Sequence, residues 1–250
     1  MPRSSILFAM LCAISVSACG EAKPQISEQL SFLGKSRGYT SELKLAFLAP
    51  EKETWPSDYY REARLLEDFE YIDAAGRSWK VPAGYVTDGA SIPARVWSAG
   101  IGPYDGPYRD AAVLHDYYCE KKGLGRSWQD VLDMFRDAAL ERGTSDATVK
   151  LLYGGVYLGS FLGFCTWSDE EAAEMARGTA VPPLVTPRSW MTTVERMLVV
   201  DVAKPTLSVQ EQQALKELQD WIQRENPSYE EIRKRAEEIN KRLKNVRPQT

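Results

Sequence analysis

The first half of the chain alternates hydrophobic and polar residues in short runs. Leu43–Phe47 alternates in this way, and Leu65–Ile72 and Ser78–Val81 are similar runs. Runs of this length and period are typical of β-strands with one buried face. Residues 74–77, Ala-Ala-Gly-Arg, separate the second and third runs and predict a turn. This segment therefore predicts a small, twisted antiparallel sheet.

Beyond Pro93 the hydrophobic period lengthens to that of an α-helix. Serine N-caps with an acid three residues later mark two helix starts, and a glycine ends three helices. Strands followed by helices indicate an α+β fold class, and we expect residues 41–178 to form this core domain. The predicted helices are Tyr108–Lys122, Ser127–Arg142, Val149–Phe164 and Ser168–Arg177.

The third predicted helix carries a stripe of glycines. Gly155, Gly159 and Gly163 fall four residues apart, at a cost of about 1 kcal/mol each in helix propensity. Such a stripe allows another backbone to approach closely. A membrane helix would use it in the same way, but a segment of about 16 residues containing Lys150 is too short to span a bilayer. We therefore expect close packing within the protein.

The C-terminal part is a charged helical hairpin behind a connector. Residues 179–206 contain four prolines and are interpreted as the connector. Residues 207–250 contain two capping-box starts, at Ser208 and Ser228, on either side of Asn226-Pro227. This pattern predicts an αα-hairpin. The hairpin is either an appendage packed on the core or a surface for a protein partner.

The N-terminus is typical of an exported lipoprotein. Arg3 and the apolar run Ile6–Val16 indicate a signal peptide over residues 1–18, and Val-Ser-Ala-Cys at 16–19 resembles a bacterial lipobox. That resemblance implies lipidation of Cys19, with palmitate among the acyl groups, and a membrane anchor; a plain secretory signal is the alternative. No Asp follows Cys19, which favours the outer membrane facing the periplasm. Residues 19–40 would then be a tether.

Composition narrows the chemistry. The net charge of -4 gives no indication of a nucleic-acid partner. The chain has a single histidine, His115, so zinc sites built from two or three imidazoles are excluded, as are histidine-rich copper sites and iron facial triads. With Cys12 removed and Cys19 lipidated, Cys119 and Cys165 remain. They form either a disulfide or two separately buried thiols.

His115 is the best-motivated candidate residue. It lies on an apolar helical stripe with Tyr108 and Cys119, so it should be largely buried and able to accept a proton. A hydrogen-bonded core histidine has the same pattern. Asp116 lies about 100° round the helix and could bind a calcium ion together with backbone carbonyls of the preceding loop, around Gly100, Gly102 and Tyr104.

A second motif precedes this helix. Residues 81–93 contain Thr-Asp-Gly-Ala-Ser-Ile-Pro at a tight turn that leaves a strand. Asp88 and Ser91 can hydrogen-bond their own backbone there, which is a structural role. Asp88 is also a candidate to contact His115.

The motifs resemble a known family. Residues 79–97, His115-Asp116-Tyr117-Tyr118 and Asp133-Met134-Phe135 together look like the domain of unknown function 1353, which is found in bacteria and phages. The resemblance covers roughly residues 40–165. It implies no established activity.

The order of loop, His-Asp helix and second helix is also similar to secreted phospholipase A2. This resemblance implies that His115 is a general base, that Asp116 is a calcium ligand, and that Asp133 orients His115. Two features depart from that family. Asp133 lies about 140° from the apolar centre of its helix, which makes Asp88 the better partner. The chain also has few cysteines.

These observations leave three hypotheses for the function. The first is an envelope lipoprotein of unassigned role, in which Asp88, His115 and Asp116 form a buried polar network that joins sheet and helices. The second is a calcium-assisted, phospholipase-like ester hydrolase. The third is a cell-wall hydrolase or phage-derived binding module.

Overall fold

Alternating runs at the start of the chain form two small sheets. The computed structural model describes residues 37–48, 62–90, 102, 104–178 and 207–246. The predicted signal peptide, Cys19, Gly100, Ser91 and the connector at 179–206 lie outside these residues. Six strands are described, namely β1 Gly38–Tyr39, β2 Leu45–Phe47, β3 Ala63–Leu65, β4 Phe69–Ile72, β5 Ser78–Val81 and β6 Val86–Thr87.

Both sheets are antiparallel and three-stranded. One has the order β1-β4-β5 and the other has the order β2-β3-β6. The predicted α+β class is confirmed, but two sheets replace the single expected one. The run Leu65–Ile72 is two strands, because the chain passes from one sheet to the other at residues 66–68. Gly38 and Tyr39, in the expected tether, form an edge strand.

The β4–β5 hairpin is held by Asp73. Its carboxylate accepts the backbone N–H groups of Ala75 and Arg77, each at 2.9 Å, and the indole N–H of Trp79 at 3.0 Å. Gly76 takes a φ of +75°, which suits glycine because it has no Cβ to clash. The turn and the buried Trp79 are therefore fixed by the same side chain.

Seven helical segments follow within the described residues. They are α1 Arg109–Glu120, a short 3₁₀ helix Lys122–Leu124, α2 Trp128–Glu141, α3 Asp146–Phe161, α4 Asp169–Ala176, α5 Val209–Glu225 and α6 Tyr229–Val246. The predicted serine caps are confirmed. Ser127 accepts the N–H of Asp130, and complete capping boxes begin α4 at Ser168 and α5 at Ser208. No helix of the described residues is long and apolar enough to cross a membrane.

The sheet with β5 packs against α1 through aromatic residues. Trp79 is fully buried, and its ring lies 4.9 Å from that of Tyr118 on α1. The Tyr118 hydroxyl accepts the backbone N–H of Lys80 at 3.0 Å. The Arg126 guanidinium lies 3.8 Å from the centre of the Trp79 ring, a cation–π contact. These contacts fix α1, and with it the candidate site, relative to the strands.

The C-terminal hairpin packs on α3. Leu218 and Ile222 of α5 and Ile232 of α6 are buried in the same core as the sheets and α1–α3. Arg233 of α6 donates to Asp133 of α2 and, at 2.7 Å, to the Tyr153 hydroxyl of α3. Among the described residues, the hairpin therefore shares the main core, as the packed interpretation requires.

The expected glycine stripe does not make the close approach. A Cβ added at Gly155 would meet nothing within 4 Å, and one at Gly159 would only touch Phe164 at 4.0 Å. Gly163 lies beyond the helix. The close contact is made by Gly154, where a Cβ would lie 2.6 Å from Cδ1 of Ile222. That prediction is wrong by one position, because the face of α3 that meets α5 is about 100° away.

We predict opposite consequences for two adjacent glycines. Gly155→Ala should raise the free energy of unfolding by up to about 1 kcal/mol, because alanine favours the helix and meets open space. Gly154→Ala gains the same helix propensity, but the new methyl group must displace the side chain of Ile222. It should be at least about 1 kcal/mol less stable than Gly155→Ala by urea unfolding. Equal stability of the two variants would contradict this packing.

Candidate functional site

The candidate site lies where β6 ends against α1. Thr87, the last residue of β6, is buried, and its hydroxyl donates to Oδ2 of Asp116 at 2.9 Å. The same hydroxyl oxygen accepts the N–H of Gly89 at 3.0 Å. The carbonyl of Thr87 accepts the hydroxyl of Tyr104 at 2.9 Å. One residue therefore joins the strand, the following turn, the loop before α1 and α1 itself.

Asp116 carries a largely enclosed carboxylate, with 16% of its side chain exposed. Oδ1 lies 3.6 Å from Nδ1 of His115, and Oδ2 is held by Thr87. The pKa of Asp116 is raised to about 6: burial is the largest cause and the negative charge of Asp88 also raises it, whereas the neighbouring His115 and the hydrogen bond from Thr87 lower it. The site thus holds a carboxyl group that titrates well above its ordinary range.

His115 lies between Asp116 and a sulfur atom. Nε2 is 3.3 Å from Sγ of Cys119, and the ring centre lies 5.3 Å from that of Phe135 on α2. The side chain is 14% exposed, in agreement with its expected place on the apolar stripe. Both ring nitrogens therefore face groups of α1.

The two remaining cysteines of the sequence analysis meet at this histidine. Cys119 and Cys165 form a disulfide with a Cα–Cα distance of 5.2 Å. It joins α1 to the segment between α3 and α4. In the described part of the chain, potential ligand atoms of His115, Cys119 and Cys165 all lie within 4.8 Å of one another.

Two tyrosines and Asp88 act electrostatically on the same site. Burial raises the pKa of Tyr85 and of Tyr104, and the charges of Asp116 and Asp88 raise both further. The charge of Asp88 therefore acts on Asp116 and on the two phenols. The structure thus gathers Asp88, Tyr104, His115 and Asp116, four residues that the sequence analysis selected.

Asp133 does not join this cluster. Its carboxylate accepts the hydroxyl of Tyr153 at 3.0 Å and pairs with Arg136 and Arg233. It precedes Phe135 by two residues, so the two side chains point to opposite sides of α2, about 200° apart. Since Phe135 is the residue that packs on His115, Asp133 links α2 to the hairpin instead of orienting the imidazole.

The loop before α1 is partly described. The carbonyl of Gly102, an expected calcium ligand, accepts the hydroxyl of Tyr108. The hydroxyl of Tyr104 anchors the loop to Thr87. Gly100 lies outside the described residues. The Gly102 carbonyl and the Tyr104 side chain are therefore both engaged within the protein.

Sequence reasoning missed Thr87 and the proximity of the cysteines to His115. Thr87 precedes Asp88 in the Thr-Asp-Gly motif, so the signal for it was present. The cysteine spacing carried no such signal, because Cys165 follows Cys119 by 46 residues and two intervening helices. Only Cys119, four residues after His115 on one helix face, was local information.

The core of the chain matches a known family. Residues 63–156 match the model of Protein of unknown function (DUF1353). The resemblance drawn from the Thr-Asp-Gly and His-Asp motifs is therefore confirmed for this segment. It runs from β3 into α3 and includes Thr87, Asp88, His115 and Asp116, whereas Cys165 and the hairpin lie beyond it.

Two curated proteins of Sinorhizobium fredii (strain NBRC 101917 / NGR234) are similar to this chain. Uncharacterized protein y4jT is 39% identical over 92 residues, which are 37% of this chain and 27% of that protein. Uncharacterized protein y4iH is 37% identical over 93 residues, which are 37% of this chain and 38% of that protein. The chain thus spans under two-fifths of the length of these relatives. No solved structure matches the chain significantly.

The raised pKa of Asp116 predicts a pH dependence of stability. The carboxyl binds its proton more tightly in the folded state, with a pKa of about 6 instead of 3.8. The free energy of unfolding should therefore decrease as the pH rises from 4 to 6. Asp116→Asn keeps an acceptor for Thr87 and lacks the titrating proton. As the pH rises from 4 to 7, the free energy of unfolding of Asp116→Asn should therefore increase by up to about 3 kcal/mol relative to that of the original chain.

Urea unfolding across this pH range measures the difference. Glu238→Gln, which removes an exposed carboxylate of α6, serves as the control and should follow the original chain. Parallel curves for Asp116→Asn and the original chain would rule out a titrating Asp116 in this window.

Proposed function

We propose that this protein is a lipid-anchored protein of the bacterial cell envelope. The observation that carries the proposal is the disulfide between Cys119 and Cys165. Structural disulfides form and persist in oxidising compartments such as the periplasm, and are rare in the cytosol. Export through the signal at residues 1–18 and lipidation at Cys19 would deliver the chain there.

In this proposal the Thr87–His115–Asp116 site is a structural joint between the sheet and α1. The polar groups of the joint lie against one another, since Asp116 lies against Thr87 and His115 and the imidazole lies between Asp116 and Cys119. A buried polar network of this kind fixes one arrangement of the elements that it connects. All three residues of the joint fall within residues 63–156, the segment that matches the family model.

The anchor predicts lipid labelling at one cysteine. In a Gram-negative bacterium grown with radiolabelled palmitate, the full chain should be labelled and recovered in the outer-membrane fraction. Cys19→Ser should abolish the labelling, whereas Cys12→Ser, in the expected signal peptide, should leave it unchanged. Labelling that persists in Cys19→Ser would refute the lipid anchor.

The joint predicts a loss of stability from single polar substitutions. Thr87→Val keeps the side-chain shape but leaves Oδ2 of Asp116 and the N–H of Gly89 without this hydroxyl, so it should cost about 1–3 kcal/mol. His115→Ala should cost a similar amount, because it also removes the contact with Phe135. Thr166→Val, at an exposed position, should cost less than about 0.5 kcal/mol.

A second candidate function is a calcium-assisted hydrolase, and calcium binding distinguishes it from a purely structural joint. Asp88 raises the pKa of the buried Asp116, and a pair of carboxylates in one site is an arrangement that a hard cation can relieve. This observation favours the calcium-assisted ester hydrolase, with His115 as general base. If the site is only a joint, millimolar calcium leaves the melting temperature unchanged. A rise that Asp116→Asn abolishes, together with calcium-dependent fatty-acid release from phospholipid vesicles, would favour the hydrolase.

A further inference from the structure

His115 and the two disulfide-bonded cysteines form a compact cluster of potential metal ligands. Their ligand atoms lie within 4.8 Å of one another, and Nε2 of His115 is 3.3 Å from Sγ of Cys119. In a tetrahedral zinc site, Zn–S bonds of about 2.3 Å and Zn–N bonds of about 2.0–2.1 Å place sulfur and nitrogen about 3.5 Å apart. The spacing of this pair therefore already suits one metal ion.

We propose that, once the disulfide is reduced, Cys119, Cys165 and His115 bind a zinc ion. The fourth position would be taken by water or by an external ligand, as in zinc sites with three protein ligands. This set needs a single imidazole, so it agrees with the histidine count that excluded sites with two or three. It does not depend on the lipid anchor.

The local structure presents the imidazole for this role. A neutral histidine binds a metal through one nitrogen, and the hydrogen bond of the other nitrogen selects the tautomer. Oδ1 of Asp116 lies on the Nδ1 side, which places the proton there and leaves the Nε2 lone pair towards Cys119. A carboxylate behind a metal-bound histidine is a recurrent arrangement that orients the ring.

Two of the three ligands lie on α1, and the third follows α3. His115 and Cys119 are four residues apart on α1 and share one helix face. Phe135 of α2 packs against the imidazole. Cys165 follows α3 and is buried, and the adjacent Trp167 donates its indole N–H to the carbonyl of Arg126 at 2.8 Å. These contacts keep Cys165 near α1 when the S–S bond is absent.

The proposed change is a two-electron reduction followed by ligand exchange. A dithiol reductant gives two electrons and two protons to the disulfide, which becomes two thiols while the reductant becomes a disulfide. Zinc then binds the two thiolates and Nε2, and the two thiol protons pass to solvent. Reoxidation requires loss of the metal, so zinc would protect the reduced form.

Cobalt(II) is the probe for this site, since it occupies zinc sites and its thiolate complexes absorb strongly by charge transfer. The full chain carries Cys12→Ser and Cys19→Ser, so that Cys119 and Cys165 are its only cysteines. It is reduced with a phosphine, desalted under nitrogen and titrated with cobalt. We expect one equivalent to bind with a thiolate charge-transfer band, and zinc to displace it.

Variants assign the ligands. Cys119→Ser/Cys165→Ser should show no charge-transfer band, and His115→Ala should weaken cobalt binding at least tenfold. Asp116→Asn should weaken it about 10- to 100-fold through the histidine. Glu238→Gln, on an exposed face of α6, should bind like the parent. The unreduced parent, in which both sulfurs are bonded to each other, should bind no cobalt through thiolate.

Circular dichroism keeps the test decisive if reduction unfolds the chain. Recovery of helicity on adding zinc would support the proposal, because metal binding then supplies folding free energy. An unfolded reduced chain that zinc does not restore would overturn it. The absence of a charge-transfer band in the reduced parent, or equal cobalt affinity in His115→Ala, would overturn it as well. None of these outcomes bears on lipidation, because Cys19 is absent.

Discussion

The burial of one carboxylate constrains the centre of this molecule. Asp116 follows His115 on α1, and its side chain is turned into the protein, where a charged group is costly unless it is paired. Thr87 and His115 supply the partners, and each brings another element with it. Thr87 brings the end of β6 and, through Tyr104, the loop before α1. His115 brings the disulfide and, through Phe135, helix α2.

A second polar group has a comparable role at the other side of α2. Asp133 receives Arg136 from its own helix, Tyr153 from α3 and Arg233 from α6. A carboxylate with several charged or hydroxyl donors is well satisfied, and removing one donor leaves the others close by. The hairpin is therefore tied to the core by an ion-pair network as well as by apolar packing. This explains why Asp133 is unavailable to orient His115.

The disulfide connects the stability of the fold to its redox state. It closes a sequence separation of 46 residues, for which loop-closure entropy predicts a stabilisation of about 4 kcal/mol at 25 °C. That is a large part of the net stability of a typical domain. The same bond lies against His115, so oxidation and reduction change the surroundings of the only imidazole. Structure and redox state are in this way coupled at one position of α1.

Local patterns were enough to predict the α+β class, the helices of the core and their caps. Ser127, Ser168 and Ser208 cap as expected, because capping depends on residues within one turn. The sequence likewise selected His115 from the apolar stripe of α1 and Asp116 as its neighbour about 100° round the helix. Tertiary structure decided which side chains meet them. Gly154 and not Gly155 contacts α5, and Asp133 pairs with the hairpin while Cys165 reaches His115, because such contacts depend on how distant elements pack, which periodicity along one element does not encode.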